Sequence, residues 1–279
     1  KQTNQNICGS DTITLHIALE GIDGVGKTTQ VERLVDFFQH KDYKVRKAQQ
    51  PVCNEIIDIL NNYNLTNHEI ALLMAFDRSL TYYGENWNEY DIVIWDRSIL
   101  SSYAYNTDDN TPRIFIKQIN RYFPEMDLYI IINNDTIMEE QDYTNSGKII
   151  EKYGYLSQNY NNTVYTEYLL DKPEQMTENI TKLIFDNLPR CQWCGRLFTP
   201  TQKHRKYCTQ KCSKYSLEEQ YRTNNRNYYH RYKDVMSERQ KGGLGSKGAN
   251  LHGSADPNPF AELEKVRRGK KALGLKPIQ

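Results

Sequence analysis

Glu20-Gly21-Ile22-Asp23-Gly24-Val25-Gly26-Lys27-Thr28-Thr29-Gln30 is the stretch on which the fold turns. It has the spacing G-x-x-x-x-G-K-T. Glycines at these places let the backbone curl into a nest whose N–H groups point at phosphate oxygens. Lys27 adds a cation, and the Thr28 hydroxyl can ligate Mg²⁺. The flanks agree with this reading. Thr12-Ile13-Thr14-Leu15-His16-Ile17-Ala18-Leu19 is β-rich and apolar and reads as a buried strand. From Thr28 to Gln39, Val31, Leu34, Val35 and Phe38 share one helix face.

The pattern continues outward. Tyr43–Ala48 reads as a second strand, stopped by Gln49-Gln50-Pro51. Short apolar strands follow at Asp91–Trp95 and Met126–Ile132, and a last strand is expected at Thr166–Leu170. Helices are expected over 53–61, 67–83, 111–123, within 134–164, and over 174–187. Strands alternating with helices imply a parallel sheet covered on both faces, an α/β fold of P-loop NTPase type. In such a sheet ligands bind at the carboxyl ends of the strands. The glycine loop and Asp96-Arg97 both leave strands at that end.

Asp96 therefore sits where a carboxylate can hold Mg²⁺ directly or through water, or cap the next helix. Arg97 can bind a phosphate with two parallel hydrogen bonds. Arg78 is a third cation, on a mostly apolar helix. Asp23, among phosphates, is better suited to accept a hydrogen bond from a sugar hydroxyl.

The same stretches carry a family resemblance. Glu20–Gln30 looks like the opening of thymidylate kinases. Leu72-Leu73-Met74-Ala75-Phe76-Asp77-Arg78 resembles that family's nucleobase-side helix, and Asp96-Arg97-Ser98-Ile99-Leu100-Ser101-Ser102-Tyr103-Ala104-Tyr105 its Asp-Arg segment. Pro124-Glu125-Met126-Asp127-Leu128-Tyr129 resembles its approach to the fourth strand. The resemblance spans roughly residues 12–188. It implies transfer of the ATP γ-phosphate to dTMP. Gly21, Gly24, Gly26, Lys27, Thr28 and Thr29 would hold ATP, and Thr28 and Asp96 would hold Mg²⁺. Asp23, Arg78, Arg97, Ser102, Tyr105 and Met74 would surround the acceptor nucleotide, with Lys27, Arg97 and Asp23 closest to the chemistry. It also implies a possible homodimer.

Four features depart from that family, one being Ser98 where Asp-Arg-Tyr is common. Met74 stands where an aromatic Phe is usual, and Gln49-Gln50-Pro51 replaces Arg-Glu-Pro. Neither the lid segment Met138–Lys152 nor the glycine loop contains an arginine, leaving Lys148 and Lys152 as the lid's cations.

Charge divides the chain. The formal net charge is +1, but residues 1–190 hold 17 Lys+Arg against 28 Asp+Glu, and residues 191–279 hold 19 against 7. A basic half suggests a polyanion partner. It opens with Cys191-Gln192-Trp193-Cys194 and Cys208-Thr209-Gln210-Lys211-Cys212. Four thiolates at such spacing suit tetrahedral Zn²⁺ in a small zinc-ribbon or treble-clef-like module. Disulfides and an iron–sulfur cluster are the alternatives. A helix is expected over 213–235, with tyrosines interleaved among Lys and Arg, a pattern suited to RNA or DNA. Residues 241–258 read as a linker and 261–273 as a short basic helix.

The expected layout is a tail (1–11), a kinase-like domain (12–188), a Cys₄ zinc module with a basic helix (191–235), and a flexible basic tail (236–279). No apolar run approaches the roughly 18 residues that span a bilayer, and no apolar signal core opens the chain. A cytoplasmic protein without a membrane partner is expected. Two functions stay open: a nucleoside monophosphate kinase, for dTMP or another acceptor, and a nucleic-acid or ribonucleoprotein binder whose kinase-like domain is catalytically weak.

Overall fold

A computed structural model describes residues 13–133, 143–169, 172–200 and 204–242. Five parallel strands, β1 (Leu15–Glu20), β2 (Val45–Gln49), β3 (Ile92–Asp96), β4 (Leu128–Asn133) and β5 (Thr163–Glu167), form one sheet in the order β2-β3-β1-β4-β5. The helices between them are α1 (Lys27–Gln39), α2 (Asn54–Asn62), α3 (Asn67–Tyr83), α4 (Ile99–Asn106), α5 (Arg113–Ile119), α6 (Tyr143–Asn159) and α7 (Pro173–Asn187). A long α8 (Gln210–Gly242) ends the described chain.

Strand residues alternate between two cores, as a period of two requires. Leu15, Ile17, Leu19, Ile92, Ile94, Leu128, Ile130 and Ile132 pack under α1 and α7. Ala18, Val93, Trp95, Tyr129 and Ile131 face α3, α4, α5 and α6. Both faces are covered, so β3 and β4 are buried at every position.

The last strand starts earlier than its sequence suggests. Thr163-Val164-Tyr165-Thr166 pairs with Tyr129–Ile132, whereas Leu169 joins the first core from a loop. A short apolar run fits a strand or a buried loop equally well, and pairing register decides between them. Helix α3 opens with a capping box between Thr66 and Glu69.

The chain divides into two units, Lys1–Tyr221 and Arg222–Gln279. The Cys-rich segment belongs to the first. Residues 1–11, the lid stretch 134–142, and the expected linker and terminal helix beyond 242 lie outside the described residues. Among the described residues, no helix is long and apolar enough to cross a membrane.

Candidate active site

β1 delivers the glycine loop at the carboxyl edge of the sheet. Gly21 has φ 142, and a Cβ there would lie 2.4 Å from the Ile132 carbonyl oxygen of β4. Only glycine lets the loop leave so close to the neighbouring strand. Gly24 and Gly26 also have positive φ, and Gly26 caps α1 in the left-handed region, so the first amides of α1 face the loop's interior.

Lys27 opens α1 and is buried. Its Nζ donates to the Ile22 carbonyl at 2.6 Å and lies 4.0 Å from Asp23. Burial, then the field of Arg97, lowers its pKa to about 8. The Thr28 hydroxyl donates to Asp96 Oδ2 at 2.5 Å, joining the two groups expected at the metal. Arg97 has φ 74, unusual for a non-glycine residue and the kind of local strain found at working sites. Its guanidinium donates to Asp23 and to Ser101 and lies 5.2 Å from the Tyr105 ring centroid. Burial works against its charge, yet Tyr105, Tyr153, Asp23 and Glu20 hold its pKa above the ordinary range.

Asp23, Gly24, Gly26, Lys27, Thr28, Asp96 and Arg97 line one cleft of about 580 Å³, with Gln49, Gln50, Pro51 and Ile57 opposite. A second cleft of about 230 Å³ shares Gly26 and is bounded by Thr29, Gln30, Tyr168, Leu169, Pro173 and Met176. The glycine loop therefore separates two openings.

Four of the expected acceptor residues lie apart from that cleft's lining: Arg78, Ser102, Met74 and Tyr105, the last beside Arg97. Arg78 is fully buried. It donates through Nε to Gln50 Oε1 at 2.9 Å, through Nη1 to Asn120 Oδ1 at 2.7 Å, and through Nη2 to Ser102. Burial lowers its pKa to about 10, and these three acceptors are all uncharged. Ser102 is occupied by Arg78, and Met74 is half-buried one turn earlier on α3. Gln50 lines the cleft and touches Arg78, so it links the two. On α6, Lys148 is exposed, and Lys152 donates to the Thr107 carbonyl at 2.6 Å.

Sequence reading passed over Glu20. It is fully buried at the end of β1 and accepts from three hydroxyls: Ser98, Ser101 at 2.6 Å and Tyr153 at 3.0 Å. A lone carboxylate closing an apolar strand was the available signal. Tyr153, from α6, offered none.

A family profile described as Thymidylate kinase matches residues 19–182. The chain belongs to the thymidylate kinase family. Among curated relatives, the probable thymidylate kinase of Methanosphaera stadtmanae is 37% identical over 133 residues, 43% of this chain and 68% of the relative. Probable thymidylate kinase 1 of Saccharolobus solfataricus is 32% identical over 189 residues, 62% of this chain and 97% of the relative. The crystal structure of thymidylate kinase from Ehrlichia chaffeensis shares the fold, with TM-score 0.51 and 20% identity over 61% of this chain and 98% of that one. Family membership makes the chain a phosphotransferase of the nucleoside monophosphate kinase class.

The family match stops short of the cysteines. Cys191, Cys194, Cys208 and Cys212 bring their Sγ atoms within 4.8 Å of one another, with Cys194–Cys208 at 3.6 Å and Cys208–Cys212 at 3.5 Å. Disulfide sulfurs lie about 2.05 Å apart. A metal with bonds of about 2.3 Å to four sulfurs sets them about 3.8 Å apart. Cys191 and Cys194 share a proton, so contact between them lowers the first thiol and raises the second. Gly195, at φ 74, turns the chain after the first pair, and Thr209 accepts from the Cys212 amide as α8 begins. These four residues could hold one metal ion.

The cluster is fastened to the sheet's amino edge. Arg196 pairs with Asp91 at 3.0 Å, just before β3, and lies over the Tyr43 ring. The Leu197 amide donates to Tyr43 at 3.0 Å, and its side chain enters the first core. Thr199 donates to Asp127, just before β4. The glycine loop lies at the opposite edge.

Proposed function

We propose that this chain transfers the γ-phosphate of Mg²⁺-ATP to a nucleoside monophosphate, with dTMP the favoured acceptor, and that residues 191–235 form a zinc module that contacts nucleic acid. One observation carries the kinase reading. Lys27, Thr28, Asp96, Arg97 and Asp23 converge on one cleft, and the loop they surround borders a second.

The narrower cleft suits the donor base, and the wider, charged one suits the acceptor. The loop amides and Lys27 would hold the donor's phosphates, with Lys27 exchanging the Ile22 carbonyl for phosphate oxygen. Thr28 and Asp96 are already joined by a hydrogen bond and could hold Mg²⁺, which when bound neutralises phosphate charge. Arg97 would leave Asp23 to grip the phosphate of the acceptor, and Asp23 would then accept from its sugar. Tyr105 closes over Arg97 on the nucleoside side. The residues form no covalent intermediate; positioning and charge do the work. Names of the relatives favour dTMP.

The glycine loop's lack of arginine favours the second reading, a nucleotide binder with weak turnover. Arginines at the transition state contribute about 10³–10⁵ in rate. The test is Mg²⁺-ATP with each nucleoside monophosphate in turn, comparing the native chain with Lys27→Ala. Turnover of dTMP above the other acceptors, lost in Lys27→Ala, is expected. No turnover on any acceptor removes the kinase reading. The four-thiolate geometry supports Zn²⁺, and metal analysis should find about one per chain.

A further inference from the structure

From Arg222 to Lys233 every side chain on α8 is exposed. This stretch carries Arg222, Arg226, Arg231 and Lys233 and no Asp or Glu, a surface that suits an anionic partner. It contains no aliphatic side chain either. A protein-docking helix would present apolar anchors at i, i+3, i+4 and i+7; here the apolar surface is aromatic only.

Two of those aromatics form a near-parallel pair. Tyr228 and Tyr232 stand one turn apart on the same face, 56% and 48% exposed. Their rings are 13° from parallel with centroids 6.3 Å apart. Stacked bases repeat at about 3.4 Å, so a base held between two rings needs about 6.8 Å. Small side-chain rotations supply the difference at an exposed site. Arg231 lies at i+3 from Tyr228. Arg222, Arg226 and Lys233 lie in a row on the adjoining face, at i, i+4 and i+11.

We propose that Tyr228 and Tyr232 form a slot that sandwiches one base of a single-stranded nucleic acid, while the flanking arginines and Lys233 hold the phosphates beside it. Paired bases in a duplex are already stacked and cannot enter the slot. The slot rests on the reading that this half of the chain contacts nucleic acid.

The experiment titrates the full chain into a fluorescein-labelled strand of about 12 nucleotides, as DNA, as RNA of the same sequence, and as the DNA duplex. Single strands should bind more tightly than the duplex. Replacing both tyrosines by alanine should weaken single-strand binding by about tenfold or more, since stacking on one ring is worth about 1–3 kcal/mol. The Tyr228→Phe, Tyr232→Phe variant should bind like the native chain, because stacking needs the ring and not the hydroxyl. Circular dichroism confirms that each variant keeps its helix. Arg226→Ala should instead flatten the dependence on salt. Equal binding of duplex and single strand, unchanged by alanine at both tyrosines, overturns the slot and leaves nucleic-acid contact standing. No binding of any strand at low salt overturns both.

Discussion

Burial resists the charge of Lys27, and a phosphate beside it would restore that charge. In the free protein its pKa is about 8, so it loses its proton as pH rises through that value. Phosphate beside it favours the charged form again. Nucleotide binding should therefore take up a proton above about pH 8, and affinity should fall by up to about tenfold for each further pH unit. Calorimetry at about pH 9, in buffers of different ionisation enthalpy, should read uptake of close to one proton, absent near neutrality. Zero uptake at the higher pH would mean that Lys27 does not meet the phosphates. The place of Lys27 in the cleft was readable because the loop's spacing is set by neighbours in sequence. Arg78 was not readable in this way. Its partners Gln50, Asn120 and Ser102 come from three other segments, and only folding reveals that its guanidinium is enclosed among uncharged acceptors.

The strands were legible as elements, because burial on both faces leaves apolar runs that few other structures tolerate. Their exceptions carry the information. His16 interrupts β1, among Tyr82, Trp87 and Trp95, and its Nδ1 accepts from Trp95 Nε1 at 3.1 Å. That bond requires the neutral ring, and burial lowers the pKa to about 4. The unfolded chain binds this proton at a pH near 6.5, the folded chain only near 4. Stability from this group is thus full above about pH 6.5 and is lost as pH falls toward 4, by up to about 3 kcal/mol. Asp127, raised by burial, acts in the opposite sense over the carboxylate range. Urea midpoints measured at pH 7 and pH 5 should differ in the native chain and differ less in His16→Gln. Equal pH dependence in both proteins would assign the acid sensitivity elsewhere.

The Cys₄ spacing brings four thiols together where they could hold a metal ion, but nothing local tells where that cluster docks. The docking lies in contacts between distant segments: Arg196 with Asp91, Leu197 with Tyr43, and Thr199 with Asp127. All three fall at the amino edge of the sheet, so the module braces the kinase fold without touching the cleft. Binding energy of a structural metal is folding energy. Because Leu197 belongs to the sheet's own core, that energy should reach the kinase fold. If the four cysteines hold a metal ion, removing it with a chelator should lower the unfolding temperature of the whole unit, by about 2–4 °C for each kcal/mol lost. Phosphoryl transfer at room temperature should change little, since the glycine loop sits at the other edge. Arg196→Ala separates docking from metal binding. It should keep about one metal ion per chain yet melt earlier than the native chain. Complete metal loss without any change in melting would show that the module and the sheet fold independently. Loss of turnover with no change in melting would instead place the cysteines within reach of the chemistry.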